Sequence, residues 1–149
     1  MDETHLRVFA EGALAYFAQF KHPAEVAAAY LSESPRQELR ECTGIIGVSG
    51  AFRGCVYYTA PTEKLRFMLS ELGEMSQGEA LLADLCGEVA NTLAGNARRE
   101  LGGGFLISVP VVVQGKASHV QMPSDLRSFV IPIAWRKMRS AVVVSVARS

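Results

Sequence analysis

Between Gln77 and Leu101 the chain carries a long run with helical periodicity. Leu82, Cys86, Val89, Leu93 and Ala97 recur at three- and four-residue steps and fall on one side of a helix turning ~100° per residue. Asp84, Glu88, Asn91 and Gly95 follow steps of four, three and four and make a polar stripe on another side. Ser76-Gln77-Gly78-Glu79 fits the Ser-x-x-Glu capping box, which predicts the helix start, and Gly102-Gly103-Gly104 stops it. A helix apolar along one side only must lie on something, and the flanking residues favour strands.

Upstream, Cys42–Gly50 and Ala51–Thr59 are β-rich and glycine-punctuated, predicting a hairpin that turns at Ser49-Gly50. Pro61 opens a helix over Thr62–Leu72 that Gly73 closes. Leu6, Val8, Phe9, Leu14, Phe17 and Phe20 predict a first helix ending near Lys21-His22-Pro23. Glu25 to Leu31 fits a strand or a helix. Downstream, Phe105–Val113 is apolar and β-branched but interrupted by Pro110, which predicts a bulge or a sheet edge. His119–Met122, Ser128–Trp135 and Ala141–Val146 are further predicted strands, and the Ala141–Val144 run suggests burial on both faces. With no repeat or linker, the expectation is one domain over residues 1–149. Its class is α/β (α+β): a mostly antiparallel sheet with two long helices on one face.

Composition narrows the function. Fifteen basic residues balance fifteen acidic ones, so no bulk attraction to nucleic acid or to an anionic membrane follows. Hydrophobic residues make up 49% and charged ones 20%, which excludes a disordered tail protein. No apolar stretch approaches ~18 residues, so no membrane insertion is expected. The Met1–His5 start lacks the basic and apolar regions of a secretion signal, which points to the cytoplasm. Cys42, Cys55 and Cys86 form no CxxC pair and read as buried thiols in a reducing compartment. His5, His22 and His119 are dispersed, so no metal site is predicted. The triple glycine follows a helix rather than preceding one, the wrong order for cradling phosphate. Glu71, Glu74 and Glu79 read as solvated charges and capping groups.

The stripe is the one constellation with chemistry in it. Asparagine is a mediocre residue in a helix interior, and glycine costs about 1 kcal/mol there against alanine. Spacing alone fits a solvated polar face as well as a working one. A carboxamide can orient a water without acting as a strong base, and a nearby carboxylate can hold a cationic partner residue. Glycine lets another surface come close. Together these suit a helix pushed into a partner's phosphate site, where in-line placement of water supplies much of the catalysis.

Asp84, Glu88, Asn91, Gly95, Asn96 and Ala97, with the Gly44–Gly54 hairpin before them and the Ile107–Pro110 strand after, resemble the CheC/CheX/FliY group of chemotaxis phosphatases, the CheX branch most closely. The resemblance spans Gly44 to Gly115, with a shorter glycine-rich turn than the family pattern. It implies hydrolysis of the aspartyl phosphate on a phosphorylated CheY-type response-regulator receiver, in two-component signalling. By that resemblance Asn91 orients the hydrolytic water, Glu88 engages the receiver's lysine, and Asp84 and Gly95 take part in partner binding. The chain would need no cofactor of its own, the Mg²⁺ belonging to the receiver. Glu11 is followed at the third position by Leu14, so a second Glu-x-x-Asn signature is absent. That favours a single site per chain and, by resemblance to CheX, a homodimer. The alternative is a binding module of the same fold that docks a receiver or flagellar component without catalysis.

Overall fold

A computed structural model describes residues 1–115 and 120–149. Its centre is the hairpin of β3 (Cys42–Gly50) and β4 (Phe52–Ala60), with Ala51 at the tip, one residue beyond the predicted turn. Two short strands precede it, β1 (Ala24–Val26) and β2 (Tyr30–Ser32). They resolve the ambiguity of that segment: both pair with β7 (Ser128–Trp135), whose free edge draws an alanine-rich stretch into the sheet against its weak strand preference. β7 turns through Arg136 and Lys137 into β8 (Met138–Arg148). Both turn residues have positive φ, 51° and 64°, the left-handed turn that matches strand twist.

β5 (Phe105–Ile107) and β6 (Val111–Gln114) lie end to end along β3. Val48 faces Ile107 and Ile45 faces Val111, so three steps on β3 oppose four on the edge. The additional residue is the bulge that Pro110 forecast, and the pair is also a sheet edge. The strand path runs β1-β7-β8-β4-β3-β5, and every described pairing is antiparallel. Val120–Met122 carries no strand, and His119 lies outside the described residues.

Three helices pack on the sheet. α1 (Glu3–Phe17) stops before the predicted Lys21, and its chain end turns Phe17 and Phe20 onto Trp135. Its start is a capping box that the sequence reading did not identify. The Asp2 carboxylate accepts from the His5 amide at 3.0 Å, and the His5 ring accepts from the Asp2 amide at 3.3 Å. α2 (Thr62–Glu71) follows Pro61, with Gly73 just past its end. α3 (Glu79–Leu101) is the long helix, ended by Gly102.

Ser76 does not cap α3. The N-cap is Gly78, without a side-chain bond, and the Gln77 side-chain amide just before it donates to the Arg66 carbonyl at 3.2 Å, which ties the connecting segment to α2.

The helices cover one sheet face, with Phe9, Ile46, Val56, Leu65, Leu93, Val142 and Val144 in a common core. Leu39, Tyr57, Val120, Val130 and Val143 form a second cluster. Val142 and Val143 thus enter different clusters, which accounts for the apolar run at Ala141–Val144.

Candidate functional site

α3 rests on β3 at its smallest residues. A Cβ on Gly44 would stand 2.9 Å from the Cys86 carbonyl oxygen and 3.1 Å from the Ala90 Cβ. A Cβ on Gly87 would meet Val112 at 3.0 Å. This close approach fixes the rotation of the helix. Leu82, Cys86, Val89, Leu93 and Ala97 are all buried beneath it. The Cys86 thiol, which donates to the Tyr58 carbonyl, is pushed up in pKa by its hydrogen bond with Cys42 and by burial, which makes it a poor nucleophile.

With that face down, Asp84, Glu88 and Asn91 are exposed. Gly95 is half-buried, yet a Cβ there would meet nothing within 4 Å. Among the described residues, the side chains of Asp84, Glu88 and Asn91 have no hydrogen-bond or ion-pair partner. Their polar atoms are thus free for a contact outside the chain.

α1 forms the wall beside this stripe. A Cβ on Gly12 would lie 3.0 Å from the Asn96 amide nitrogen, so the helices touch there. Tyr16 is buried on the same side of α1, and burial, followed by the Glu88 charge, pushes its phenol pKa well up. The sequence reading missed Gly12 and Tyr16. Gly12 was the available signal, a glycine in a helix interior.

Glu71 is not a solvated charge. Its carboxylate accepts from the Lys21 amide at 2.7 Å, meets the His22 ring at 2.6 Å and lies 3.6 Å from Arg136. These contacts latch the end of α2 to the segment after α1 and to the β7–β8 turn. Although burial opposes it, hydrogen bonding from His22 and Lys21 and the His22 charge hold the Glu71 carboxyl below its ordinary pKa.

Among the described residues, no group of three His, Cys, Asp or Glu could hold a metal ion, and no helix is long and apolar enough to cross a membrane. An open hollow of about 950 Å³ lies between residues 31–37 and 122–128 and includes none of the stripe. Fold and site together define a class: an antiparallel α+β protein that presents its polar constellation on an open helix face rather than in a cleft.

Comparison with known proteins agrees with that class. The family model for the chemotaxis phosphatase CheX matches residues 42–134. A CheC-like superfamily protein from Shewanella sp. PV-4 superposes with a TM-score of 0.84 at 21% identity, over 99% of both chains. Chemotaxis protein CheX from Vibrio vulnificus gives 0.79 at 21% identity, over 97% of this chain and 99% of that one. The CheX-CheY-BeF3-Mg²⁺ complex from Borrelia burgdorferi gives 0.79 at 17%, over 99% of this chain and all of the other. A search of curated proteins finds no match. This chain belongs to the CheX family.

Proposed function

We propose that this chain hydrolyses the aspartyl phosphate of a CheY-like receiver domain. One observation carries the reading: in a CheX-family chain, Glu88 and Asn91 stand on the exposed face of a long helix with no hydrogen-bond or ion-pair partner among the described residues. Asn91 enters the receiver's phosphate site, where its amide orients a water in line with the phosphorus. The water oxygen bonds to phosphorus as the bond to the aspartyl oxygen breaks, and the aspartate leaves as a carboxylate. Glu88 holds the receiver's lysine by a charge-assisted hydrogen bond. Asp84 flanks the contact, and the open space over Gly95 admits the partner's surface. The receiver supplies Mg²⁺, in keeping with the Mg²⁺ in the Borrelia CheX–CheY complex.

The test is turnover. A phospho-receiver mixed with a few per cent of this protein is expected to lose all its phosphate faster than it does alone. Acceleration that stops after one equivalent per chain would contradict catalysis and leave a binding module.

Glu88→Gln keeps the side chain's size and removes its charge. Hydrogen bonds to charged groups contribute about 1.5–3 kcal/mol, so kcat/KM is expected to fall roughly 10- to 100-fold. Most of the change should be in KM, read from initial rates against receiver concentration. A KM that does not move would remove Glu88 from the contact.

We also propose that two copies pair through the β5–β6 edge. Leu106, Val109 and Val111 are exposed there, Val109 at 79%, beside unpaired backbone groups. Sedimentation at micromolar concentration is expected to give dimers, and Val111→Lys to shift them toward monomers. Monomers alone in the parent chain would contradict the pairing.

A further inference from the structure

α2 carries an anomaly unconnected with the stripe. Lys64 is 0% exposed, packed in the core with Leu65 and Met68 of its own helix. Its amine donates to the Ser140 hydroxyl of β8 and lies 4.5 Å from the Phe17 ring centroid of α1. Close to Ser140 lies the buried Tyr58 hydroxyl of β4, whose pKa burial raises. Ser140 and Phe17 are the groups shown to meet the amine, from β8 and from the end of α1. Among the described residues, no carboxylate pairs with it. A lone ammonium in such a place lacks its hydration and has no counter-charge, which strongly disfavours the protonated form.

We propose that Lys64 is a proton-operated release for α2: the neutral amine stays docked in the core, and the protonated amine leaves it and lifts α2 from the sheet. The consequence reaches α3, because α2 packs against α3 and the Gln77–Arg66 bond ties the segment leading into α3 to α2. The proposal is independent of the receiver chemistry.

Burial lowers the Lys64 pKa from 10.5 to about 7. The released amine, in water, keeps the ordinary value. Between the two values the released state holds one more proton than the docked state, so release becomes rarer as pH rises and is insensitive to pH below about 7. The His22–Glu71–Arg136 latch holds the other end of α2. A Lys64→Met variant retains that latch, so comparison with it isolates the lysine.

The experiment measures amide protection factors, corrected for intrinsic exchange, from about pH 6 to 10. Protection over Leu65–Met68 is expected to rise about tenfold per pH unit above 7, to stay flat below 7, and to be flat throughout in Lys64→Met. A pH-independent α2 in the parent chain, or a slope that survives in the variant, would overturn the proposal. So would protection at Val56–Tyr58 no higher than over Leu65–Met68, which would mean global unfolding rather than release of α2. If Lys64→Met does not fold, an NMR titration of the Lys64 amine in the parent chain decides. A midpoint below pH 9 supports the proposal, and one at 9 or above overturns it.

Discussion

Asn91→Ala is expected to lower kcat for receiver dephosphorylation by about 100-fold or more, with KM little changed. Misplacing a reacting group by ~1 Å costs about that much, and removing one positioned hydrogen-bonding group costs 10²–10³ in comparable sites. The receiver and its Mg²⁺ keep their own slow hydrolysis, so the residual rate should approach that of the receiver alone. Asn91 is exposed and its side chain makes no hydrogen bond among the described residues, and surface changes of this kind stay within about 0.5 kcal/mol. The variant should therefore melt like the parent, and lost activity cannot be blamed on lost fold. Single-turnover kinetics beside a thermal melt check both halves. Parent-like rates in a folded variant would take Asn91 out of the chemistry.

The largest effect on stability is expected at Gly54. Its φ is +133°, and an added Cβ would lie 1.9 Å from the Ser145 carbonyl oxygen and 2.9 Å from Leu126. Backbone on both sides of that contact belongs to the β4–β8 pairing at the middle of the sheet, so neither partner can move aside. Gly54→Ala should cost roughly 4 kcal/mol, a large part of the 5–15 kcal/mol that holds a domain folded. At about 2–4 °C per kcal/mol the melting point falls by ~10 °C. Gly95→Ala is the control: no neighbour lies within 4 Å of its Cβ, and alanine in a helix should stabilise by about 1 kcal/mol. Calorimetry of the two variants side by side gives the comparison. A Gly54→Ala protein as stable as the parent would contradict the packing of β4 on β8.

How far the sequence foretold these features follows from the physics of each. The α3 stripe was legible because helical spacing separates Asp84, Glu88 and Asn91 from Leu82, Cys86 and Val89, and the helix lies down on the second set. The edge strand was legible because Pro110 cannot donate to a ladder. Ser76 misled because its spacing to Glu79 matched a capping box, while the helix starts only at Glu79 and the Gln77 side chain before it is bonded to Arg66 of α2. The true box at Asp2 and His5 uses a histidine where the usual pattern has Glu or Gln. Lys64 and Glu71 could not be read at all. A lysine on an amphipathic helix normally reaches water, and only the packing of α1 and β8 against it shows that this one does not. Glu71 gains its partners from segments 49 and 50 residues away and from the β7–β8 turn. For Lys64 and Glu71 the deciding neighbours were distant in sequence.

The central claim is that the Asn91 carboxamide itself enters a receiver's phosphate site. Its side-chain NH₂ resonances can be followed by NMR while a Mg²⁺-loaded receiver carrying beryllofluoride is added. Those resonances should shift markedly at stoichiometric complex, together with the Glu88 carboxyl, and stay put when beryllofluoride is omitted. A complex that forms and leaves the Asn91 amide signals where they were would contradict the account.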